Sequence, residues 1–459
     1  DKVSVLNSRL SQGERYDQFK RAKRGEVQVM VGPRSALFTP FSNLGLIVID
    51  EEHEPTYKSE NTPRYHARET AIQRARLEHA KVVMGSATPS LSAYSRASVG
   101  EYLLIKLTSR YEERPLPKVS IVDLREELKK GNRSVLSTEL KTSLQETLRR
   151  KEQAMLFLNR RGYAGFVSCR ACGHVMKCPH CDVSLSEHNG SRLVCHYCGY
   201  ETVKPQSCPS CGSPHIGGFK AGTQQIEKVI EKYFPEAKVL RMDFDTTRTK
   251  DSYEKILASF ARHEADILVG TQMIVKGHDF PDVTLVGVIA ADLSLNMDDY
   301  HCGERTFQLL TQAVGRAGRG MKPGTAVIQT YQPEHYSIQA AAVQDYEEFY
   351  REEMSYRMLM DYPPAAHMMT VFGACQDEEL LKKAMYYIEA FIRRVSPKDE
   401  LHMIGPAAAP VGKVKDVYRQ VLHLKHVDMR FLTAVREKLE QYIEINSGFR
   451  KIYIQFDMS

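Results

Sequence analysis

The 459-residue sequence contains no tryptophan and no run of about 18 consecutive apolar residues, the length that a membrane-spanning helix needs. Its first residues, Asp1 to Ser4, lack the basic and then apolar pattern of a signal peptide. We therefore expect a cytoplasmic protein that does not enter a membrane. The composition, with 42% hydrophobic residues, 26% charged residues and a formal net charge of +6, is that of a soluble, mildly basic globular protein. About three domains are expected at this length.

The sequence also lacks the phosphate-binding loop G-x-x-x-x-G-K-[ST]. In that loop backbone N–H groups hold the phosphates of a nucleotide and a lysine reaches its β- and γ-phosphates. The nearest string, from Gly405 to Lys413, has the wrong spacing. The sequence therefore does not predict a complete nucleotide site within these residues.

Cysteine is the residue whose positions are most informative. Eight of the ten cysteines form four Cys-x-x-Cys pairs in one short segment, and Cys302 and Cys375 are isolated. In a reducing compartment such pairs hold metal more often than they form disulfides. A redox protein would need a reactive thiol of low pKa at the start of a helix, and none of the pairs clearly opens a helix.

Four thiolates make one tetrahedral zinc site, and each Cys-x-x-Cys turn supplies two of them. The four pairs therefore predict two Zn²⁺ sites, which are structural because four cysteines leave no open coordination position. The pairs can combine in three ways, and the 13 residues between the two middle pairs favour a nested arrangement. Iron–sulfur binding stays open as an alternative, although regular doublets favour zinc. The favoured sites are Cys169, Cys172, Cys208 and Cys211 (Zn 1) and Cys178, Cys181, Cys195 and Cys198 (Zn 2).

The charge of the cysteine segment indicates how it is used. Residues 166–219 carry four Lys or Arg and three Asp or Glu, so with eight thiolates and two zinc ions the formal charge is −3. Attraction of phosphates cannot then be its main contribution. We expect a shaped wedge or a protein-docking surface that uses Tyr197 and Tyr200.

Alternating strand and helix patterns on both sides of the cysteines predict an α/β fold. Because the pattern resumes after the cysteines, their segment is predicted to be an insertion within one domain. The charged, proline-bearing stretch from Arg110 to Lys118 indicates a linker. Near the C-terminus the order strand, helix, strand, strand, helix, strand indicates an α+β, ferredoxin-like domain. The predicted domains are a first lobe (1–109), a second lobe (110–165 and 220–330), the inserted module (166–219) and a C-terminal domain (331–459).

Carboxylates and arginines occur in patterns that suit nucleotide chemistry. Asp50 and Glu51 follow an apolar run, where one carboxylate can hold Mg²⁺ and the next can orient an attacking water. An acidic pair alone is most often solvated surface. Glycines in the string 312–319 let Arg316 and Arg319 approach phosphate oxygens. Two further strings, Ser86-Ala87-Thr88 and 270–279, also suit nucleotide chemistry. It is improbable that the acidic pair and these three strings occur together by chance.

These four motifs resemble those of helicase superfamily 2: the D-E-x-H box, the S-A-T motif, the G-T-Q-x-x-x-K-G motif and the Q-x-x-G-R-x-G-R motif. With the inserted cysteines, the whole sequence resembles the bacterial replication-restart helicases, whose second lobe carries a two-zinc insertion. The similarity includes the strings 157–164 and Asp361-Tyr362-Pro363-Pro364. The resemblance implies two RecA-like lobes, and that family groups its cysteines in the nested way.

The resemblance also implies an ATP-dependent 3′-to-5′ DNA helicase that recognises abandoned forks and helps to reload the replicative helicase. Its expected partners are forked and single-stranded DNA, the primosome proteins and the single-stranded-DNA-binding protein, and its nucleotide is ATP with Mg²⁺. The motifs assign catalysis to Asp50, Glu51, Arg316 and Arg319, nucleotide binding to His53, Gly270, Gln312 and Gly315, and coupling to DNA to Tyr57, Tyr65, His66, Thr271 and Gln272.

The missing phosphate loop is the main departure from that family. In the family the loop lies upstream of these residues, with N-terminal DNA-binding domains, so we expect a C-terminal fragment whose first lobe is incomplete. Such a fragment should bind zinc but neither hydrolyse ATP appreciably nor unwind DNA. The alternative is a non-catalytic zinc scaffold that binds DNA and primosome proteins, and the retained Asp50, Glu51, Arg316 and Arg319 argue against it.

Overall fold

The computed structural model describes residues 2–7, 10–59, 64–107, 115–158, 166–188, 191–218, 222–247, 252–275, 279–297, 299–396 and 401–459. The chain divides into two compact units, Asp1–Leu103 and Leu104–Ser459. Among the described residues no helix is both long and apolar enough to cross a membrane. Residues 159–164 of the string 157–164 and residues 276–278 of the string 270–279 lie outside the described residues. Most of the predicted linker does so too.

The first unit contains two pairs of short parallel strands. Strand β1 pairs with β2 and β3 with β4, while α1 begins with a capping box between Ser11 and Glu14. Parallel sheets are normally covered on both faces. Here Val3, Val31 and Val48 are each more than half exposed within the part of the chain that the structure describes. The elements are β1 (Val3–Val5), α1 (Gln12–Lys23), β2 (Val29–Val31), β3 (Leu46–Ile49), α2 (Ala67–Glu78), β4 (Lys81–Met84) and α3 (Leu91–Ser98).

The second unit begins with a parallel α/β layer that the cysteine segment interrupts. Its elements are β5 (Lys118–Asp123), α4 (Leu124–Lys129), α5 (Thr138–Arg149), β6 (Gln153–Phe157), β7 (Ser168–Cys169), β8 (Ser186–His188), β9 (Arg192–Val194), β10 (Glu201–Val203), β11 (Ile216–Gly217), α6 (Thr223–Tyr233), β12 (Val239–Met242), α7 (Ser252–Ala261), β13 (Ile267–Gly270), β14 (Val283–Val288), α8 (Asp292–Leu295), α9 (Cys302–Val314) and β15 (Thr325–Thr330).

Six of these strands form one parallel sheet in the order β12-β13-β6-β14-β15-β5. Strand β6 is buried along its whole length between β13 and β14, as expected for the centre of a parallel sheet. Because β6 precedes the cysteines and β13 follows them, the cysteine segment is an insertion in this α/β lobe. The predicted fold class is thus confirmed for the second lobe.

The stretch between the sheet and the C-terminal fold is helical. It forms α10 (Tyr336–Val343) and α11 (Tyr346–Leu359). Gln344 ends α10 with a left-handed φ of 56°, and the Asp345 side chain then accepts from the Glu348 amide to cap α11. Phe349 of α11 stacks on Phe307 of α9 at 4.2 Å. These helices therefore pack on the second lobe, although the prediction placed them in the C-terminal domain.

The C-terminal fold is the predicted βαββαβ unit. Its antiparallel sheet has the order β17-β18-β16-β19, which is the strand order of a ferredoxin-like fold. Helices α12 and α13 pack on one face of this sheet over the core around Leu422 and Leu424. Its elements are β16 (His367–Cys375), α12 (Glu378–Val395), β17 (His402–Val414), β18 (Val417–His426), α13 (Met429–Ile445) and β19 (Tyr453–Met458).

Candidate functional site

The four Cys-x-x-Cys pairs fold into four copies of one turn. In each copy the first cysteine carbonyl accepts from the amide four residues later, at 2.9–3.0 Å, and its amide donates to the carbonyl five residues later, at 2.8 Å. The residue that follows the second cysteine has a left-handed φ, which glycine adopts most easily. It is Gly173, Gly199 and Gly212 in three copies and Asp182, with a φ of 54°, in the second.

The turns bring the sulfurs together as the nested arrangement requires. Within each group of four, the Sγ atoms all lie within 4.8 Å of one another. The Sγ atoms of Cys169 and Cys211 are 3.7 Å apart, and those of Cys178 and Cys198 are 3.6 Å apart. A zinc ion with Zn–S bonds of about 2.3 Å has tetrahedral edges of about 3.8 Å, whereas a disulfide needs about 2.05 Å. A single tetrahedral ion therefore fits each group, and a disulfide does not.

Two of the sulfurs, those of Cys195 and Cys208, accept backbone hydrogen bonds that favour the thiolate. Backbone amides of Tyr197 and Cys198 donate to the Cys195 sulfur, and those of Ser210 and Cys211 donate to the Cys208 sulfur. The Cys181 thiol donates to Cys195, which lowers the pKa of Cys195 and raises that of Cys181. Thiols packed this closely release their protons when they bind a divalent cation.

The isolated Cys302 gives no support to the redox alternative. It begins α9, but burial raises the pKa of its thiol to about 12. A reactive cysteine needs the opposite shift.

The inner cysteines lie against the C-terminal fold and the second lobe. The Tyr197 ring stacks on His423 of β18 at 4.8 Å, and its hydroxyl accepts from the Tyr300 amide at 3.4 Å. Tyr362 stacks on Tyr300 at 4.7 Å, with the Lys425 ammonium 3.7 Å above its ring. Tyr197, Tyr300 and Tyr362 are each 7% exposed or less. We call this cluster of Tyr197, Tyr300, Tyr362, His423 and Lys425 the tyrosine junction.

The burial of Tyr197 corrects one expectation. We expected Tyr197 and Tyr200 to belong to an exposed docking surface, but Tyr197 is enclosed in the tyrosine junction. Tyr200 remains partly exposed and packs edge-on against His180 at 5.6 Å. The local pattern could not reveal this, because the partners of Tyr197 lie about 100 residues or more along the chain.

The outer cysteines lie against the edge of the second lobe. Gly173, in the first turn, approaches so closely that a Cβ atom there would be 2.3 Å from the Tyr331 carbonyl oxygen. Tyr331 follows β15, and Arg125, held by Asp123 and Glu334, lines the same cleft. Strands β7 and β11 pair next to this site, with Cys169 opposite Ile216.

In the first unit, the acidic box lies where β3 ends. Glu51 has a left-handed φ of 47°, a strained conformation that clusters at functional sites, and its amide donates to the Asp50 carboxylate at 3.0 Å. His53 Nδ1 lies 2.7 Å from the Ser86 hydroxyl and 3.5 Å from a Glu51 carboxylate oxygen. The structure thus brings the predicted Asp50, Glu51 and His53 together with the S-A-T motif.

The segment after the box is attached to it directly. The Tyr57 hydroxyl donates to the Asp50 carbonyl at 2.8 Å, and burial raises the pKa of Tyr57. Tyr65 packs edge-on against Phe38 at 5.2 Å. His66 caps α2, since its Nδ1 accepts from the Arg68 amide at 3.2 Å, and burial lowers its pKa to about 4. The central residues 60–63 lie outside the described residues.

In the second lobe, the two remaining motifs approach each other at Asp279 and Arg319. Gly270 ends β13 and is followed by Thr271 and Gln272, and a Cβ atom at Gly270 would be 2.6 Å from the Met242 carbonyl. Helix α9 carries Gln312 and ends at Gly315. Arg319 donates to the Gly315 carbonyl at 3.0 Å and lies 3.8 Å from the Asp279 carboxylate. Arg316 lies between Gly315 and Gly318, which has a φ of 67°.

Sequence reasoning missed two buried ion clusters. Arg357, 1% exposed, donates to Glu353 at 2.7 Å and to Glu304 at 3.2 Å, and so ties α11 to α9. In the first unit Glu52, 3% exposed, binds Arg68 and Ser90. Glu52 lies in the variable position of the D-E-x-H box, where a third acidic residue in a row resembles solvated surface.

Comparison with known proteins gives three matching family models. They are the PriA DNA helicase Cys-rich region domain at residues 178–202, the helicase conserved C-terminal domain at 218–321 and the primosomal protein N C-terminal domain at 358–459. The chain is 48% identical over 459 residues to the replication restart protein PriA of Bacillus subtilis, covering all of this chain and 57% of that protein.

The PriA protein of Synechocystis is 43% identical over 96% of this chain and 54% of its own length. That of Borreliella burgdorferi is 34% identical over 99% of this chain and 68% of its own length. The chain belongs to the replication restart protein PriA family. It spans little more than half the length of the Bacillus and Synechocystis PriA proteins. The solved structure of the DUF1998 helicase MrfA bound to DNA aligns over 76% of this chain and 38% of its own at 13% identity, with a TM-score of 0.40 that is too low to support an argument.

PriA membership and the geometry together identify the metal. The PriA Cys-rich region model covers the inner four cysteines, and the outer four form a second group with the same turn and the same sulfur spacing. Sulfur edges of 3.6–3.7 Å suit one ion rather than a cluster of several irons, whose thiolate ligands would have to be further apart. This PriA chain therefore takes two Zn²⁺ ions, and both have a structural coordination environment.

Proposed function

We propose that this chain works, within a longer PriA protein, as the zinc-bearing part of an ATP-dependent 3′-to-5′ DNA helicase that acts in the cytoplasm. Its substrates are abandoned or stalled replication forks, where it helps to reload the replicative helicase. Its partners are forked and single-stranded DNA, primosome proteins and the single-stranded-DNA-binding protein. Family membership supports the class of activity, and the joined acidic box and S-A-T motif support its mechanism.

Each unit carries side chains that suit nucleotide chemistry. Asp50 would hold Mg²⁺ through water, and Glu51 would orient the water that attacks the γ-phosphate. His53 would connect the bound nucleotide to the S-A-T motif, because its ring contacts the Ser86 hydroxyl. Arg316 and Arg319 would stabilise charge on the phosphates. Gly270, Gln312 and Gly315 would contribute to nucleotide binding.

DNA coupling is assigned to both units. Tyr57, Tyr65 and His66 would respond to DNA bound at residues 54–66, because Tyr57 and His66 contact the acidic box and the first turn of α2. Thr271 and Gln272 would contact the DNA strand from the second lobe. Stacking of bases on tyrosine is independent of sequence, which a translocating motor requires.

The single observation that carries this proposal is the hydrogen bond between His53 and Ser86 beside a strained Glu51. An experiment follows from the missing phosphate loop. The 459-residue chain alone should bind two zinc ions and show no DNA-stimulated ATP hydrolysis, whereas a protein that also carries the N-terminal region of the longer relatives should hydrolyse ATP. Glu51→Gln should abolish that activity without loss of zinc.

A second candidate is a zinc scaffold that binds DNA and primosome proteins without catalysis. It is favoured by the lack of a phosphate loop in these residues. The same experiment separates the two candidates, because a scaffold stays inactive when the N-terminal region is added. ATP hydrolysis by the chain alone, sensitive to Glu51→Gln, would contradict our account of the phosphate loop.

A further inference from the structure

The buried carboxylate of Glu52 joins three segments of the first unit. It is 3% exposed. Its Oε1 accepts from the Ser90 amide at 2.6 Å, and its Oε2 accepts from the Ser90 hydroxyl at 3.0 Å and from Arg68 Nη1 at 3.1 Å. A buried carboxylate is costly unless it is paired and hydrogen-bonded in this way. We call Glu52, Arg68 and Ser90 the buried triad.

Each member of the triad belongs to a different functional segment. Glu52 lies between Glu51 and His53 in the acidic box. Ser90 follows the S-A-T motif and caps α3, since its hydroxyl also accepts from the Ala93 amide at 3.2 Å. Arg68 lies in the first turn of α2, immediately after the segment 54–66. The triad is therefore the point at which box, S-A-T loop and segment 54–66 meet.

The described ends of this segment, residues 54–59 and 64–66, are bound to each other and to the start of α2. Lys58 bridges to His66, and the Ser59 amide donates to the Tyr65 carbonyl at 2.8 Å. The His66 ring in turn holds the Arg68 amide. A displacement of the segment must therefore reach the first turn of α2 and the Arg68 side chain that it carries.

The Arg68 guanidinium is held from its other side as well. Its Nε donates to Glu69 at 3.0 Å, and Glu69 is held by Arg96 through two contacts of 3.0 Å. These contacts fix the direction of the guanidinium, so that Nη1 meets Glu52 and Ser90, at 3.1 and 2.7 Å. When α2 shifts, the Arg68 guanidinium should therefore shift with it as a rigid group and displace Glu52.

We propose that Glu52 is a positioning residue that transmits DNA binding beside the acidic box, at residues 54–59 and 64–66, to the neighbouring Glu51 and His53. This inference rests on the proposed function and adds a role for a position that the helicase motif leaves variable. Glu52 is buried against Arg68 and Ser90 and would act through its neighbours in the box. It sets the backbone of the acidic box, whose Glu52 amide also donates to the Gly85 carbonyl at 3.0 Å.

The test uses the full-length protein that carries these residues, with Glu52→Gln. The amide keeps the shape and can still accept from Ser90, but the ion pair with Arg68 is lost. We expect the ratio of DNA-stimulated to basal ATP turnover, measured with single-stranded DNA, to fall at least tenfold. The matched control is Glu78→Gln, which removes the α2 surface pair with Arg74 and should leave the ratio within twofold of the unaltered protein.

A second pair of variants keeps the inference testable if Glu52→Gln folds poorly. Ser90→Ala removes the hydroxyl that bridges Glu52 and Arg68, and Ser90→Thr restores it. We expect the ratio to fall in the first variant and to recover in the second, and the double variant Glu52→Gln/Ser90→Ala to be less impaired than the two effects combined predict.

Three results would overturn the inference. Basal and stimulated turnover could fall in the same proportion together with the melting temperature, which would show a purely structural role. The ratio could stay unchanged in Glu52→Gln and Ser90→Ala although both fold. If DNA fails to stimulate the unaltered protein, the proposed function fails as well, and that outcome is seen before any variant is compared.

Discussion

Serine in place of Cys181 should remove the inner zinc ion and loosen the C-terminal fold from the second lobe. The reason is geometric, because Cys181 belongs to the pairs that carry Tyr197, and the Tyr362 hydroxyl donates to the Cys181 carbonyl at 3.5 Å. The matched variant is Cys211→Ser at the outer site. It should lose the other zinc ion and leave the tyrosine junction in place.

The size of this effect follows from the folding energy that the zinc ion contributes and from the packing energy of the buried rings. Structural zinc contributes about 10–16 kcal/mol to the folding of small zinc modules at neutral pH, which is comparable to the whole stability of a domain, about 5–15 kcal/mol. The inner turns therefore cannot stay folded without their ion. Losing the packing of a buried ring such as Tyr197 costs about 3–5 kcal/mol, so the docked state should become roughly a hundredfold or more less populated relative to the open one.

Zinc content and hydrogen exchange measure this outcome. Both variants should bind one zinc ion instead of two, but only Cys181→Ser should speed amide exchange in residues 360–366, where Tyr362 is fully buried. Tyr197→Ala should give the same faster exchange with both zinc ions retained, and Tyr200→Ala should not. Equal exchange in the Cys181 and Cys211 variants would refute the assignment of the two sites to different surfaces.

Two further predictions concern a buried histidine and a pair of glycines. Burial lowers the pKa of His66 from 6.5 to about 4. As pH falls, His66 therefore takes up its proton in the unfolded chain before it does so in the folded chain. The free energy of unfolding should fall by about 3 kcal/mol between pH 6.5 and 4 for this reason. His66→Asn keeps a capping acceptor, and its urea midpoint should therefore fall less between pH 7 and 4.5 than that of the unaltered chain; an equal fall would contradict the role of His66. Gly173→Ala and Gly212→Ala both place alanine at a left-handed φ, at a cost of about 1–2 kcal/mol, but only Gly173→Ala also meets the Tyr331 carbonyl. Thermal melting and zinc retention against a chelator should show the larger loss in Gly173→Ala, and equal losses would mean that the first turn does not rest on the second lobe.

The parts that sequence predicted well are those set by short-range geometry. A Cys-x-x-Cys turn is complete within six residues, so its backbone hydrogen bonds follow from local spacing. The strand order of the C-terminal fold follows from the order of its apolar segments. Even here one residue differs, since Asp182 takes a left-handed φ that the other three turns give to glycine. Its carboxylate lies 3.1 Å from the Lys177 ammonium, a contact that glycine could not make.

The parts that sequence missed depend on contacts between distant residues. Tyr197 has the pattern of an exposed aromatic next to a zinc ligand, and only the return of the chain at Tyr300, Tyr362 and His423 buries it. Glu52 has the pattern of a solvated acidic run, and only Arg68 and Ser90 make its burial possible. Pairing energies of this kind cannot be inferred from a residue's immediate neighbours.

The nesting of the two zinc sites has a mechanical consequence. The outer pairs lie near the two ends of the insertion, where β7 and β11 also pair, so the outer ion closes the insertion at its base on the second lobe. The inner pairs lie between them and contact the C-terminal fold through Tyr197 and through His196, whose Nδ1 is 3.2 Å from the Ala408 carbonyl. Force between the second lobe and the C-terminal fold is therefore shared between the zinc module and the direct stacking of Tyr362 on Tyr300. A module that is net negative once it holds zinc, and whose central tyrosine is buried, is better suited to carrying such a load than to gripping the phosphates of DNA.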